Sequence, residues 1–538
     1  PKMPESADFV MFWWEKAALE TRSGKARRLG FITTNSLRQT FNRQVLEPHL
    51  GAPKKPLSLM FAIPDHPWVD AGDGAAVRIA MTVAAAGKAP GRLFTVTEER
   101  KGEREAEGRP VTLTEQVGKI FANLRVGADV AGAKALRAND GISSPGVKLH
   151  GAGFIITPAE AQALGLGTVP GLEAHIRTYR NGRDLTATPR GVMVIDLFGL
   201  TETEVRTRFP AVYQHVLDRV KPERDHNNRD SYKRNWWIHG EPRRDLRPAL
   251  EGLPRYIVTV ETMQHRLFMF MDGEVLPDNR LVVFGLEDPA QIAVLSSRIH
   301  VVWSLAVGGV LEDRPVYNKT VCFDPFPFPD TTEAQNARLR GLGEELDAHR
   351  KAQQAAHPKL TLTGIYNVLE KLRAGVRIEG KDKETYDQGL VGILKDIHDR
   401  IDAEVATAYG WADDPDDETI LMRLVELNRA RAAEEAAGHI RWLRPDYQNP
   451  AGHAAVAKGK QTEMDVAIAE TADKALWPKA LPEQIAAVRA VLSDMGEATP
   501  EQVARQFKRA RAASVKPLLE SLDALGQARL IEGGRFAA

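Results

Sequence analysis

One stretch of the chain, residues 173–200, joins a cationic loop to a short apolar run, and the fold must accommodate both. In the loop, residues 176–184, arginine, tyrosine and asparagine side chains surround Gly182, and their donors suit phosphates and base edges. The run from Val192 to Leu197 is rich in β-branched residues and precedes Gly199, which predicts a buried strand. The stretch therefore predicts a recognition loop held by a rigid strand. A surface turn with ordinary solvated arginines is the alternative.

Length, charge and cysteine content limit the classes of protein that fit. A chain of 538 residues should hold about three or four domains. Lys and Arg number 72, as do Asp and Glu, so nucleic acid would have to be bound by local patches. The single cysteine, Cys322, excludes intramolecular disulfides and CxxC zinc sites and predicts a cytoplasmic protein. No apolar run reaches about 18 residues, so we expect no membrane span. The start at Pro1, without a signal-peptide pattern, suggests a fragment of a longer protein.

The first part of the chain alternates strand-like and helix-like patterns. We predict helices over residues 7–20 and 37–46, strands over 29–33, 57–63 and 77–84, and a helix over 111–124. Such alternation is typical of an α/β fold, but a complete doubly wound sheet needs more strands. The pattern therefore predicts the C-terminal half of such a sheet.

The middle of the chain, up to about residue 330, mixes strands and helices and carries a basic-aromatic patch. Between Lys221 and Arg247 there are eight Lys/Arg against five Asp/Glu. We expect Lys233 and Arg234 to contact phosphates, and the tryptophans that follow them, at 236 and 237, to pack. The proline-spaced aromatics of residues 322–329 predict an extended strap across a domain surface.

The remainder is predicted to be helical, with a separate unit at the end. The apolar stripe predicted for one helix consists of Leu390, Leu394, Ile397, Ile401 and Val405, which repeat at helical spacing. In the last 60 residues, three helical patterns, one starting at the capping box of residues 499–502, precede a hairpin pattern at 529–536. That order is typical of a winged helix, a relative of the helix-turn-helix.

Several familiar site motifs are missing from the sequence. It has no GxxxxGK[ST] phosphate loop, HExxH motif, EF-hand loop or GxSxG motif. Pro64-Asp65 fits the start of a PD-type nuclease motif, but such a site needs a further acidic residue and a lysine on adjacent strands, and the sequence does not place them.

Seven stretches together resemble the large single-chain DNA adenine methyltransferases of bacterial restriction-modification and phage-defence systems, notably the MmeI-like group. Each stretch is a weak signal, whereas their order and spacing are specific, up to about Asn449. The stretches are ADFVMFWWEKAALE, GKARRLGFITTNSLRQ, FAIPDHPWVD, RTYRNGRDLT, RGVMVIDLFGL, NWWIHGEPR and YNKTVCFDPFPFPD.

The resemblance implies a mixed α/β multidomain fold. Its parts would be the C-terminal half of a Rossmann-like methyltransferase sheet (1–125), an α+β target-recognition domain (126–330), a helical region (331–455) and a winged helix (480–538). In this family a methyl group passes from S-adenosyl-L-methionine (AdoMet) to the N6 amino group of a flipped adenine. The catalytic Asn-Pro-Pro-Tyr/Phe motif and the glycine-rich AdoMet loop are missing from this sequence. We therefore expect them upstream in the parent protein, and no methylation by this chain alone.

The resemblance also suggests roles for residues that are present. Trp68 matches the aromatic that faces the flipped base, and a core tryptophan is the alternative. Asn35 matches the border of the same pocket, and a helix N-cap is the alternative. The segments 262–266 and 277–280 lie where such domains read bases. The predicted DNA-binding residues are Arg177, Tyr179, Arg180, Asn181, Arg183, Lys233, Arg234, His265, Arg266 and Arg280.

The sequence is also compatible with two other functions. One is a non-enzymatic DNA-specificity or adaptor protein that never had a catalytic half. The other is a restriction enzyme with an N-terminal nuclease. All three readings predict duplex DNA as the partner, with defence-system proteins as possible further partners.

Overall fold

The computed structural model describes most of the chain. The chain divides into two units, Pro1–Pro450 and Ala451–Ala538, which we treat separately. The finer domain boundaries given above stay predictions. The described residues are 3–4, 7–68, 77–99, 110–311, 314–411, 413–450, 475–478, 480–504, 506–508, 510, 512–524, 527–531 and 535–537.

The first unit begins with a five-stranded sheet. Strand β3 runs antiparallel to both of its neighbours in the order β1-β3-β2-β4-β5, so β1 and β2 are parallel to each other. Helix α1 covers one face because Met11, Trp14 and Ala18 share one side of it and are buried. The elements are α1 Val10–Ser23, β1 Arg28–Thr34, α2 Thr40–Leu50, β2 Leu57–Pro67, β3 Arg78–Ala86, β4 Gly91–Glu99 and β5 Val111–Gly118.

The predicted helix over residues 111–124 is wrong. Residues Val111–Gly118 form β5, which pairs antiparallel with β4. Most of its side chains are exposed on both faces, so the segment lacks the buried face from which a periodic pattern is read. Its backbone pairing with β4, rather than its own pattern, sets the structure.

Two four-stranded sheets follow in the first unit, in the orders β11-β10-β13-β6 and β12-β8-β9-β7, with a separate hairpin β14-β15. The strands are β6 Ser143–Pro145, β7 Ile155–Ile156, β8 Ile176–Arg180, β9 Met193–Ile195, β10 Arg255–Val260, β11 Met269–Asp272, β12 Leu276–Pro277, β13 Leu281–Phe284, β14 Gly309–Leu311 and β15 Arg314–Val316. The helices among them are α3 Pro158–Ala163, α4 Gly182–Thr186, α5 Glu202–Arg208, α6 Pro210–Arg219, α7 Lys221–Asp225, α8 Asp230–Arg234, α9 Leu246–Leu250, α10 Pro289–Ser296, α11 Arg298–Val307 and α12 Lys319–Cys322.

The long helices that complete the first unit share a core with the sheet containing β10. The predicted stripe is buried on α16 at residues 394, 397, 401 and 405, which confirms the prediction for these four. It is wrong for Leu390, which is 42% exposed because it precedes the helix in a left-handed conformation. On α17, the Asn428 side chain donates to the carbonyls of Lys134 and Pro325 and ties the helix to the proline-spaced segment. The helices are α13 Glu333–Ala356, α14 Leu362–Arg373, α15 Gly380–Gly389, α16 Val391–Ala408, α17 Asp417–Ala436 and α18 Pro445–Gln448.

The second unit has its own small core, built around buried residues such as Val488, Val515 and Leu519. The predicted capping box is present, because the Gln502 N–H donates to the Thr499 hydroxyl and the Thr499 N–H to the Gln502 side chain. Residues 532–534, which the sequence places at the hairpin turn, lie outside the described residues. The described elements are β16 Ala475–Leu476, α19 Leu481–Met495, β17 Glu497–Ala498, α20 Pro500–Ala504, β18 Phe507–Lys508, α21 Ala512–Ala524, β19 Arg529–Ile531 and β20 Arg535–Ala537.

Apolar helices are short in the part of the chain that the structure describes. No single helix there has the length and apolar composition needed to cross a membrane. Only α10 and α11 taken together, bent by 60°, meet that test.

Candidate nucleic-acid interface

The loop after β8 is held in one conformation by a capping network. The Asn181 side chain accepts hydrogen bonds from the N–H groups of Arg183 and Asp184, and the Asp184 carboxylate accepts one from the Asn181 N–H. The Arg190 guanidinium binds the same carboxylate at 2.6 Å. Burial opposes ionisation of Asp184, but these hydrogen bonds outweigh it and lower its pKa. Asn181, predicted to bind DNA, is therefore the N-cap of α4.

Three separate segments meet beside this loop. The Asp278 N–H donates to the Arg180 carbonyl at 2.9 Å, and the Glu261 N–H donates to the Arg280 carbonyl at 2.8 Å. Gly182 approaches Val260 so closely that a Cβ atom would lie 2.8 Å from its Cγ1. The structure thus brings the predicted loop at 180–183 together with the predicted base-reading segment at 277–280.

The segments that meet here carry three arginines, Arg180, Arg183 and Arg280, which we call the arginine surface. Within the described residues, the guanidinium groups of Arg180 and Arg183 have no hydrogen-bond or ion-pair partner. The Arg280 side chain is 69% exposed and lies 3.6 Å from the Glu261 carboxylate, too long for a hydrogen bond. Cations without strong internal partners, held on rigid backbone, are suited to phosphates or base edges.

Two residues of the predicted loop have internal roles instead. Tyr179 is buried, and its hydroxyl donates to the Asp278 carboxylate. Burial, together with that carboxylate, raises the pKa of Tyr179 far above its usual range. Arg177 donates to the carbonyls of residues 273–275, which fastens β8 to the turn between β11 and β12. Both side chains hold in place the backbone that carries the arginine surface.

His265 and Arg266 were expected to read bases, and the structure buries both. The His265 ring lies 2.6 Å from the Asn367 side-chain oxygen. Arg266 donates to the Val260 carbonyl at 2.6 Å and stacks over the Tyr317 ring at 5.0 Å. Burial lowers the pKa of Arg266. The segment between β10 and β11 packs against α14, about a hundred residues further along the chain, so these side chains connect parts of the protein core.

The basic-aromatic patch is only partly a surface feature. Lys233 and Arg234 are exposed on α8, as the phosphate-binding prediction requires. Trp236 is buried and Trp237 donates from its indole to the Leu200 carbonyl, so the prediction that both tryptophans pack is confirmed. Arg224, which we did not single out from the sequence, is fully buried and donates to two backbone carbonyls.

Asn35 lines a cavity of about 890 Å³ between the first sheet, α11 and α17. Its side-chain amide donates to the Asp65 carboxylate at 3.1 Å, and Arg78 binds the same carboxylate at 2.6 Å. Asn35 is therefore not a helix N-cap; Thr34 occupies that position. The arginines around Asp65 differ from the lysine and second acid of a PD-type nuclease. Among the described residues, no three His, Cys, Asp or Glu side chains are grouped to hold a metal ion.

Trp68 lies at the end of β2 and is 45% exposed. Its N–H donates to the Val77 carbonyl at 2.9 Å, which fixes the backbone. The core-tryptophan alternative is therefore wrong. The indole presents an aromatic face near the strand that carries Asp65, and the residues that follow, 69–76, lie outside the described part of the chain.

Comparison with known proteins gives one family match and a similar solved structure. Residues 149–330 match the family described as MmeI, target recognition domain. The fold is similar to that of the type IIL restriction-modification enzyme MmeI in complex with DNA, with a TM-score of 0.60 and 19% identity over 79% of this chain and 52% of that one. This chain thus spans about half the length of MmeI. The type IIG restriction endonuclease BpuSI aligns at 11% identity over 72% of this chain and 48% of its own, but a TM-score of 0.26 supports no argument. No curated protein matches significantly.

Proposed function

With residues 149–330 assigned to the MmeI target-recognition family, we propose that this chain is the C-terminal part of a cytoplasmic, site-specific DNA adenine methyltransferase. The parent enzyme would transfer a methyl group from AdoMet to the N6 amino group of a flipped adenine in duplex DNA, in a restriction-modification or phage-defence system. The family match of residues 149–330 carries the proposal, because a target-recognition domain implies sequence-specific contact with DNA.

The first sheet supports the catalytic part of the proposal. The stretches that resemble the end of a methyltransferase sheet form β1, β2 and β3 of one sheet. Strand β3 separates the parallel strands β1 and β2 and pairs with both. Two of the stretches that carry the resemblance, GKARRLGFITTNSLRQ and FAIPDHPWVD, thus contribute strands to the same sheet.

Under this proposal, the arginine surface contacts the base edges of the DNA. Arginine donates two parallel hydrogen bonds to guanine, and one good contact of this kind discriminates by about 1–3 kcal/mol. The capping network of Asn181 and Asp184 and the clamp formed by Arg177 hold the surface in place. Pre-organisation of this kind lowers the entropic cost of binding.

Trp68 and Asn35 would form the wall of the base pocket. An exposed indole can stack on a flipped base, and stacking of this kind contributes about 1–3 kcal/mol per base. Because the Asn35 amide nitrogen donates to Asp65, its carbonyl oxygen is left to accept a hydrogen bond from a donor such as the adenine amino group.

The residues present do not fit an AdoMet site. The sequence contains neither the glycine-rich loop nor the Asn-Pro-Pro-Tyr/Phe motif of the family. We therefore assign AdoMet binding and methyl transfer to the rest of the parent protein. This chain would supply target recognition and one wall of the base pocket.

The second unit would be a winged helix that does not choose the target sequence. Its helices are followed by the antiparallel pair β19 and β20, the order that the sequence predicts for that fold. It would bind the DNA backbone or a defence-system partner protein. The recognition task falls to residues 149–330, which match a target-recognition family.

A radiolabelled methyl-transfer assay on the purified parent protein tests the proposal. With labelled AdoMet and duplex DNA of mixed sequence, the enzyme should incorporate label into adenine. A non-enzymatic adaptor would bind the same duplexes without incorporating label. A parent that neither binds duplex DNA nor methylates it would refute both readings.

A further inference from the structure

The 890 Å³ cavity beside the first sheet holds more positive charge than its carboxylates neutralise. We propose that it is a phosphate-binding site, built by Arg38, Arg125 and Asn123, which takes a phosphate ester next to the base that the enzyme acts on. The DNA backbone is the expected source under the proposed function, on which this inference rests, and a free nucleotide is the other source of the same chemistry.

The two arginines reach the cavity from different elements. Arg38 ends the 3₁₀ turn Asn35–Arg38. It lies 3.6 Å from the Asp65 carboxylate, which Arg78 already binds at 2.6 Å. Within the described residues the Arg125 guanidinium has no hydrogen-bond or ion-pair partner. Arg38 is thus weakly paired and Arg125 is not paired, and both line the same space.

Asn123 is an independent sign of a missing ligand. The residue is 6% exposed and lines the cavity, yet its side-chain nitrogen has no hydrogen-bond partner within the described residues. Its side-chain oxygen is already occupied, since it accepts from the Arg125 N–H at 3.2 Å. A buried donor is rarely left unpaired, because it loses its hydration without compensation. Because this nitrogen is closed to solvent, the Asn123 side chain would rotate to meet an acceptor in the cavity.

The backbone that carries these groups is strained. Leu124 lies between Asn123 and Arg125, has a φ of +55° and is fully buried. A leucine rarely adopts that conformation, and strained residues cluster at binding sites. The Phe121 N–H donates to the Arg125 carbonyl at 2.9 Å and closes the turn. The strain therefore fixes Asn123 and Arg125 as one unit.

Neighbouring cations make an anion favourable here. The pKa of Arg125 is lowered, first by lost hydration in this concave wall, although part of the residue is open to solvent, and then by the charges of Arg38 and Arg43. Arg43 is buried in the same wall and donates to the Val307 carbonyl at 2.7 Å. Glu47 partly offsets the charge of Arg43, so a bound anion would chiefly stabilise Arg38 and Arg125.

The other residues that line the cavity limit the kind of ligand that fits it. Three carboxylates also face the cavity, but Asp65 is bound by Arg78, Asp417 is bound by Arg298, and Glu418 is exposed. The opposite wall includes apolar residues of β14. A phosphate group attached to a sugar fits this mixture better than a bare ion.

Salt-dependent binding of duplex DNA by the intact chain tests the site. Arg125→Gln should lower the slope of log affinity against log salt by about one unit, the loss of one phosphate contact. Arg125→Lys should restore most of the slope because it keeps the charge. Arg429→Gln, on the exposed face of α17, is the matched control and should behave as the wild type. Thermal unfolding of each variant shows whether the fold is kept. Asn123→Asp places a negative charge in the site and should weaken DNA binding while both arginines remain.

A second experiment identifies the source of the phosphate group. Inorganic phosphate and a nucleoside 5′-monophosphate are added at millimolar concentration, and thermal unfolding is followed. Stabilisation of the wild type but not of Arg125→Gln would support a site for free phosphate esters. A slope change without such stabilisation would support the DNA backbone. The site is refuted, while the proposed function stands, if three results occur together. The wild type binds DNA, Arg125→Gln and Arg429→Gln have the same salt slope as the wild type, and neither inorganic phosphate nor the nucleoside monophosphate stabilises the wild type. If phosphate stabilises the chain but DNA does not bind, the proposed function fails and the site stands.

Discussion

Removing Arg180 and Arg183 together should weaken DNA binding by a predictable amount. Arg180 is the last residue of β8 and Arg183 lies in α4, and neither guanidinium group has an internal partner among the described residues. Their loss should therefore disturb the fold little, since Asn181, Asp184 and Arg190 maintain the loop without them. Because Arg183 is exposed and Arg180 is half-buried, the double alanine variant should unfold within about 1 kcal/mol of the wild type.

The size of the binding effect follows from counterion release. Each phosphate contact contributes about 0.9 to the slope of log affinity against log salt. If each arginine contacts one phosphate, the double variant loses about 1.8 units. Between about 50 and 200 mM KCl, a fourfold change in salt, the affinity of the variant should then fall about 12-fold less than that of the wild type.

Fluorescence anisotropy with a labelled duplex at several salt concentrations measures this effect. Arg429→Ala removes an exposed arginine from α17 and serves as the control. Arg190→Ala is a second comparison, because it removes the partner of Asp184 and should lower stability more than it changes the slope. If the double variant keeps both the affinity and the slope of the wild type, the loop is structural and the arginine surface is not a DNA contact.

Three further outcomes are expected. In the parent enzyme, Trp68→Ala should reduce methylation and the fluorescence signal of a flipped 2-aminopurine at the target position, whereas Trp68→Phe should keep much of both, because the aromatic face is exposed. Asp184→Asn should lower the free energy of unfolding in urea at pH 7 by about 2 kcal/mol, through its lost charged hydrogen bonds with Arg190. The pKa of Asp184 is lower in the folded state than in the unfolded state. Its contribution to stability is therefore fully present above the unfolded-state pKa of about 4 and is lost as the pH falls through the folded-state pKa. The difference in unfolding free energy between variant and wild type should accordingly shrink at acid pH. Substitution of Arg280 in the parent should change the methylated sequence, while deletion of the residues after Leu481 should leave it intact.

The features that the sequence predicted correctly depend on local patterns. The stripe on α16 repeats at helical spacing and is buried as a unit. The short β-branched run after Val192 forms β9, and the capping box at Thr499 starts α20. In each case neighbouring residues carry the whole signal, and tertiary contacts agree with it.

The features that were missed depend on distant residues. The burial of Arg266 is decided by Tyr317 and by the packing around α14, neither of which is near it in the sequence. Similar cationic segments thus gave a half-buried arginine at 180, an exposed one at 183 and a buried one at 266. The cavity wall likewise combines Arg38 with Arg125, and no spacing rule links positions so far apart.

Methylation-aware sequencing of DNA from cells that express the parent protein tests the central claim most directly. Residues 149–330 are exchanged for the corresponding domain of a relative with a different target, and wild type and chimaera are compared. The account predicts N6-methyladenine in one fixed motif for the wild type and in a different motif for the chimaera. Absence of N6-methyladenine in the wild type, or an unchanged motif in an active chimaera, would contradict it.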